Sequence, residues 1–126
     1  MKRLMILAML VLLPLGLYAY DPVLVIQGSP GATIAETTSD SAQSLATGLS
    51  TNILVSGSKT IVAVLITCEA NNIRFAFGGT TPTASLGHIL YKGQSIRLTN
   101  AAAIRTFKYI NDDAGSNALL HITPEY

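Results

Sequence analysis

The chain divides by its pattern of apolar and polar positions. From Leu4 to Leu17 no residue carries a charge or a strong polar group, and Lys2 and Arg3 stand directly before that run. Beyond residue 20 the pattern changes to short apolar runs separated by Gly, Asn, Ser and Thr. Several of these runs alternate with period two, the signature of a strand with one buried face.

The strongest run is 60–70 (TIVAVLITCEA), β-branched and apolar on both faces until Thr67 and Glu69, which predicts a central strand. Asn71-Asn72 tolerates positive φ and predicts a tight hairpin turn. Next, 73–77 (IRFAF) places Ile73, Phe75 and Phe77 on one side, until Gly78 to Pro82 breaks the run. Short strands are expected at 88–91 and 95–99, with a turn at Lys92-Gly93 between them. Residues 103–110 (AIRTFKYI) read as a strand in which Ile104 and Phe107 are out of phase, and this predicts a bulge. A turn at 111–117 and a closing strand at 118–123 follow. Earlier in the chain, strands are expected at 22–27 and 51–55. The Gly/Ser/Thr-rich stretch 28–44 reads as a loop or linker with a weak strand near residues 33–37.

Seven or eight short strands, with turn signals about every 8–12 residues, predict an all-β fold. The expected architecture is an antiparallel β-sandwich, jelly-roll-like, preceded by an N-terminal hydrophobic helix. No helix is expected beyond the leader. The expected organisation is a signal peptide or membrane anchor over 1–19, an N-terminal extension or linker with a short strand over 20–44, and a β-sandwich domain over 45–126.

The leader has a positive n-region, an apolar h-region interrupted by Pro14 and Gly16, and a small residue at Ala19. This is the layout of a secretory signal peptide cleaved after Ala19. The apolar run is shorter than the roughly 20 residues that span a bilayer. Extended through Tyr18-Ala19-Tyr20 it approaches that length, so an uncleaved anchor through residues 4–20 is the rival reading. No Cys follows the run closely, which argues against a bacterial lipoprotein. The expected location is periplasmic or extracellular if the leader is cleaved, and membrane-anchored otherwise.

Composition narrows the function classes. Without the leader, 107 residues remain, enough for one domain, and six basic residues face seven acidic ones. There is no basic stripe, and no nucleic-acid partner is expected. The charged fraction of 12% is about half the globular average. Uncharged polar residues carry the surface instead, which suits extracellular proteins and subunits covered by their neighbours.

Candidate chemistry is sparse. Cys68, the sole cysteine, falls on the apolar face with Val62, Val64 and Ile66, and reads as a buried hydrophobe. His88 and His121 are 33 residues apart and lack metal-ligand spacing. Asp112-Asp113-Ala114-Gly115-Ser116-Asn117 has the oxygen donors of a calcium loop but lacks a distal bidentate Glu, so a turn is expected there. The glycines form no phosphate-binding pattern, and no G-x-S-x-G occurs. Convergence of Glu36, Asp40 and Glu69 in three dimensions stays open. No catalytic, cofactor-binding or metal residue is assigned, no cofactor is expected, and a non-enzymatic protein is expected.

Residues 73–99 carry a more specific pattern: Ile73-Arg74-Phe75, Gly79-Thr80-Thr81-Pro82-Thr83, Gly87-His88, Leu90 and Gly93. I-R-x-F-x-x-I at 104–110 and L-x-I-T at 120–123 follow. This pattern resembles small β-sandwich proteins of tailed phages and prophages, often encoded among virion genes. The resemblance covers residues 60–126 and rests on turn and strand signals. It implies a non-enzymatic, virion-associated and oligomeric subunit. A structural subunit that self-associates or joins a larger assembly is therefore the leading expectation. An exported envelope binding module, lectin-like or adhesin-like, is the alternative; in it Tyr91, Tyr109 and Tyr126 could face a glycan.

Overall fold

A computed structural model describes residues 28–45 and 61–126. These residues form eight strands and one short helix. In chain order they are β1 (Ile34–Thr37), β2 (Gln43–Ser44), β3 (Ala63–Ala70), β4 (Ile73–Ala76), β5 (His88–Leu90), β6 (Ser95–Leu98), α1 (Ala101–Thr106), β7 (Lys108–Asn111) and β8 (Leu119–Glu125). The hydrophobic helix of the leader and the strands expected at 22–27 and 51–55 lie outside the described residues. No helix among those described is long and apolar enough to cross a membrane.

The strands make two antiparallel four-stranded sheets, in the orders β1-β8-β3-β6 and β2-β7-β4-β5. One continuous apolar core lies between them. The first sheet contributes Val64, Ile66, Cys68, Leu98, Leu120 and Ile122, and the second contributes Ile73, Phe75, Leu90 and Tyr109. The described chain is thus an all-β sandwich. Burying each large side chain contributes about 1.5–3 kcal/mol, and this offsets the entropy of ordering short strands.

β3 is central, paired to β8 on one side and β6 on the other, as its two-sided apolar character requires. Its register against β8 shifts between Cys68 and Ala70. The irregularity therefore falls at Glu69 rather than in the 103–110 run.

Three expectations are corrected. The out-of-phase pair Ile104 and Phe107 is not a bulge. Residues 101–106 are helical, and the spacing of three is the helical i, i+3 spacing; both side chains are buried. Asn100 caps the helix, its side chain accepting from the Ala102 and Ala103 amides, and three alanines follow. Asn71-Asn72 does not close a hairpin either. Asn71 does take positive φ, at 54°, but β3 and β4 belong to different sheets. The pair is a corner between the layers. Finally, the stretch 28–44 holds a strand beyond the weak one expected near 33–37: that one is β1 (Ile34–Thr37), and Gln43–Ser44 is a second, each in a different sheet. β1 pairs with β8 over four residues, and β2 pairs with β7 over two.

Every connection between described strands passes from one sheet to the other, except that between β4 and β5. That one, residues 77–87, stays on the second sheet and projects from one of its ends. Every corner at the opposite end must fold back across the core.

Candidate functional site

The 77–87 connection builds a groove. β4 delivers Phe75, Phe77 follows directly after it, and the chain then turns through Gly78 and Gly79. Both take positive φ, at 65° and 86°, and Thr80 N donates to Phe77 O at 3.2 Å. Two consecutive positive φ values are the pattern of a type I′ turn, which glycine occupies without steric cost. The Gly78 amide is anchored on Thr106 Oγ1 of α1 at 3.1 Å. Pro82 is buried. Thr83 and Leu86 exchange backbone hydrogen bonds, and Thr83 Oγ1 also accepts from the Leu86 amide at 3.1 Å. Gly87 then passes so close to β4 that a Cβ there would lie 2.9 Å from Phe75 O, at φ +126°. The chain enters β5, and His88 falls opposite Phe75.

The result is an open groove of about 410 Å³ lined by Ala76, Phe77, Thr80, Leu86, Gly87 and His88. Its floor is continuous with an aromatic cluster. The Phe75 and Phe107 rings stack at 5.4 Å, and Phe77 meets Phe75 edge-on at 5.5 Å. The His88 ring lies 5.5 Å from Phe75. Such contacts hold the rings in fixed orientations. Leu86 is 53% exposed and forms one wall. Among the described residues no Asp, Glu, Lys or Arg lines the groove. Lys108, on the neighbouring strand, donates its Nζ to Thr81 Oγ1 at 3.0 Å.

The polar side chains around the 112–117 loop are committed to one another. Asp40 accepts from the Gly115 amide at 2.9 and 3.0 Å and from Asn111 Nδ2 at 2.8 Å. The Gly115 hydrogen bond, then that of Asn111, holds the Asp40 carboxyl below its ordinary value, although burial acts in the other direction. Asn111 also donates to Asn117 Oδ1 at 2.9 Å and accepts from Thr38 Oγ1. Thr38 Oγ1 in turn accepts from the Ala118 amide at 2.7 Å. Arg74 Nε lies 2.7 Å from Asp112 Oδ1, close enough for an ion pair although the N–H is not aimed along a hydrogen bond. The 112–117 loop is therefore a turn held by Asp40, Arg74 and Asn111.

The remaining candidates are dispersed. Among the described residues no three His, Cys, Asp or Glu side chains come together as a metal site. Asp40 serves the 112–117 turn, and Glu69 pairs with His121 at 3.3 Å. Glu36 is partly buried on β1, and burial raises its carboxyl above the ordinary value. Cys68 is fully buried, its Sγ 3.0 Å from Asn71 O, and burial pushes the thiol up. Arg97 and Glu125 form a two-pronged pair at 2.9 and 2.6 Å, which Gly28 N joins at 3.3 Å. The three tyrosines do not converge. Tyr109 lies wholly in the core, and burial, then the nearby Glu36 charge, raises its phenol. Tyr126 is half-buried and pairs its backbone with Ser29. Tyr91 is exposed beyond β5.

Sequence reasoning did not assign the groove residues. His88 read as an ordinary strand histidine, and Thr80 as part of a turn. The available signal was the Gly-Gly pair after an aromatic strand, followed by a buried proline and the Gly87-His88 step. Comparison with known proteins finds no matching family model, no matching curated protein and no matching solved structure.

Proposed function

We propose that this chain is a non-enzymatic structural subunit, a jelly-roll sandwich that packs against copies of itself or within a larger assembly such as a virion. One observation carries the reading, the strand order. β1 pairs with β8, β2 with β7, β3 with β6 and β4 with β5. The chain thus behaves as one long hairpin with β4–β5 at its tip, rolled so that β8 meets β3 and β7 meets β4. Two interleaved four-stranded sheets of this kind support a jelly-roll reading, the arrangement of viral capsid and lectin domains. The fold analogy supplies the class and not the partner. It also leaves β1, β6, β2 and β5 as sheet edges among the described strands, and self-association is one way to cover such edges. Tyr91, 54% exposed, and Leu86 flank the β5 edge.

Size-exclusion chromatography with light scattering on the full chain in mild detergent tests this reading. A discrete ring or other closed oligomer supports it, and a strict monomer overturns it. The leader places the protein outside the cytoplasm in this reading, either exported or anchored. Mass spectrometry of the mature N-terminus separates the two, since cleavage leaves Tyr20 first.

The second reading, an exported envelope binding module, is favoured by the groove at 77–87.

A further inference from the structure

We infer that the 77–87 groove is a binding site for a neutral saccharide ring. The inference deepens the binding-module reading and does not depend on self-assembly.

The lining sets the chemistry. Among the described residues no Asp, Glu, Lys or Arg lines the groove, and the nearby Lys108 ammonium is spent on Thr81 Oγ1, so an ionic ligand would lose hydration with little return. The volume of about 410 Å³ lies within the range of small-ligand sites, about 300–1,000 Å³. The apolar part is a shelf of Phe77 and Leu86, with the Phe77 ring braced by Phe75 and Phe107. The face of an aromatic ring is electron-rich and attracts weakly positive C–H groups. A pyranose presents such groups on one face.

The polar part decides between ligands. Among the described residues, neither the His88 imidazole nor the Thr80 hydroxyl makes a side-chain hydrogen bond, unlike the committed groups at the 112–117 turn. Both line the groove beside the apolar shelf. A purely apolar occupant, such as a leucine or proline side chain from a partner, would cover these groups and leave them unpaired, which costs about 1–3 kcal/mol for each buried group. A sugar ring has an apolar face and a rim of hydroxyls that can both donate and accept. Neutral imidazole offers one donor and one acceptor, and threonine offers both functions on one oxygen. The pieces are also held in place: the turn at Gly78-Gly79 is pinned to α1, and Gly87 is locked against Phe75 O.

The test is a ¹H–¹⁵N NMR titration of the full chain in detergent micelles with methyl α-mannopyranoside, methyl β-glucopyranoside and methyl β-galactopyranoside. The expected result is saturable shifts at Gly78, Gly79, Thr80, Gly87 and His88 with at least one glycoside, with Kd on the order of 1 mM. Leu86→Lys, which fills the groove from an exposed position, and Thr80→Val, which removes only the hydroxyl, should each weaken binding about tenfold while the rest of the spectrum stays unchanged. Three results overturn the inference: no saturable shift with any of the three glycosides, shifts located away from residues 76–88, or undiminished binding by both variants. Shifts of the same amides by an apolar, proline-containing peptide and by none of the glycosides would assign the groove to a protein partner, and would also overturn it. Light scattering on the same samples reads the oligomer separately, so the two proposals fail independently.

Discussion

The two ends of the second sheet solve opposite problems. At one end lie Ile73, Leu90 and Asn111, where the corners at 38–40, 71–72 and 112–117 meet. Asn111 N donates to Ser39 O, Asp112 N to Asn72 O, and Lys92 N to Asn72 Oδ1. Asn71 Nδ2 donates to Asn117 O at 2.8 Å. The side chains of Asn71, Asn72, Thr38 and Asp40 therefore pair the backbone of chain segments crossing between the layers, and Asn111 and Asn117 link them side chain to side chain. At the other end lie Ala76, His88 and Lys108. There the chain turns on glycine geometry and aromatic packing, and the exposed side chains of Thr80 and His88 have no hydrogen-bond partner among the described residues. Corner loops that fold back over a core must satisfy their own backbone groups. The 77–87 connection, which stays on its own sheet, pairs its backbone within its own turns and leaves side-chain donors and acceptors for something else.

Variants can break this contrast. The largest effect is expected from Asn111→Ala. It removes the shared partner of Thr38, Asp40 and Asn117 in a buried position, and should lower stability by about 3 kcal/mol in urea denaturation. A loss below about 1 kcal/mol would mean the network is replaceable by water. Gly87→Ala strikes the other end through backbone strain rather than hydrogen bonding, because φ is +126° and Phe75 O lies in the way. A loss of about 1–3 kcal/mol is expected, with the NMR shifts confined to the groove.

Acid sharpens the contrast further. Because the folded Asp40 carboxyl sits below its ordinary value of 3.8, its contribution is complete above that value and is lost as pH falls through the lower folded one. Glu36 has the opposite sign. Its folded value is raised above 4.5, so its contribution is present below 4.5 and is lost as pH rises through the raised value. Thermal melts across the acid range should show Asp40→Asn flattening the low-pH fall, and Glu36→Gln gaining stability at neutral pH but not below pH 4.5. The smallest effect belongs to Leu86→Lys, expected within about 0.5 kcal/mol of the parent in the same melts. A larger loss would place Leu86 in the core rather than on the groove wall.

Much of the frame was legible in the residues. The two-sided apolar run at 60–70 named the central strand, period two at 73–77 named the face that packs, and the turn residues marked the ends. What misled was local ambiguity. Ile104 and Phe107 have a spacing that a bulged strand and a short helix share, and only the Asn100 cap and three alanines favour the helix. Asn71 supplies positive φ equally well to a hairpin and to a corner between sheets. Gln43–Ser44 carries almost no apolar signal of its own, and only its pairing with Tyr109 and Lys108 makes it a strand. The 112–117 oxygens were readable as a turn, but their anchors, Asp40 and Arg74, are distant in sequence.

By itself, then, the sequence determined the β class, the buried faces and the uncharged surface, because each depends on side-chain periodicity and composition within a few residues. Tertiary structure alone decided which strands pair, which asparagines meet, and that Phe77, Thr80, Leu86 and His88 share one groove. Those outcomes depend on contacts between segments far apart in the chain, and no local pattern encodes which distant backbone will offer the matching edge.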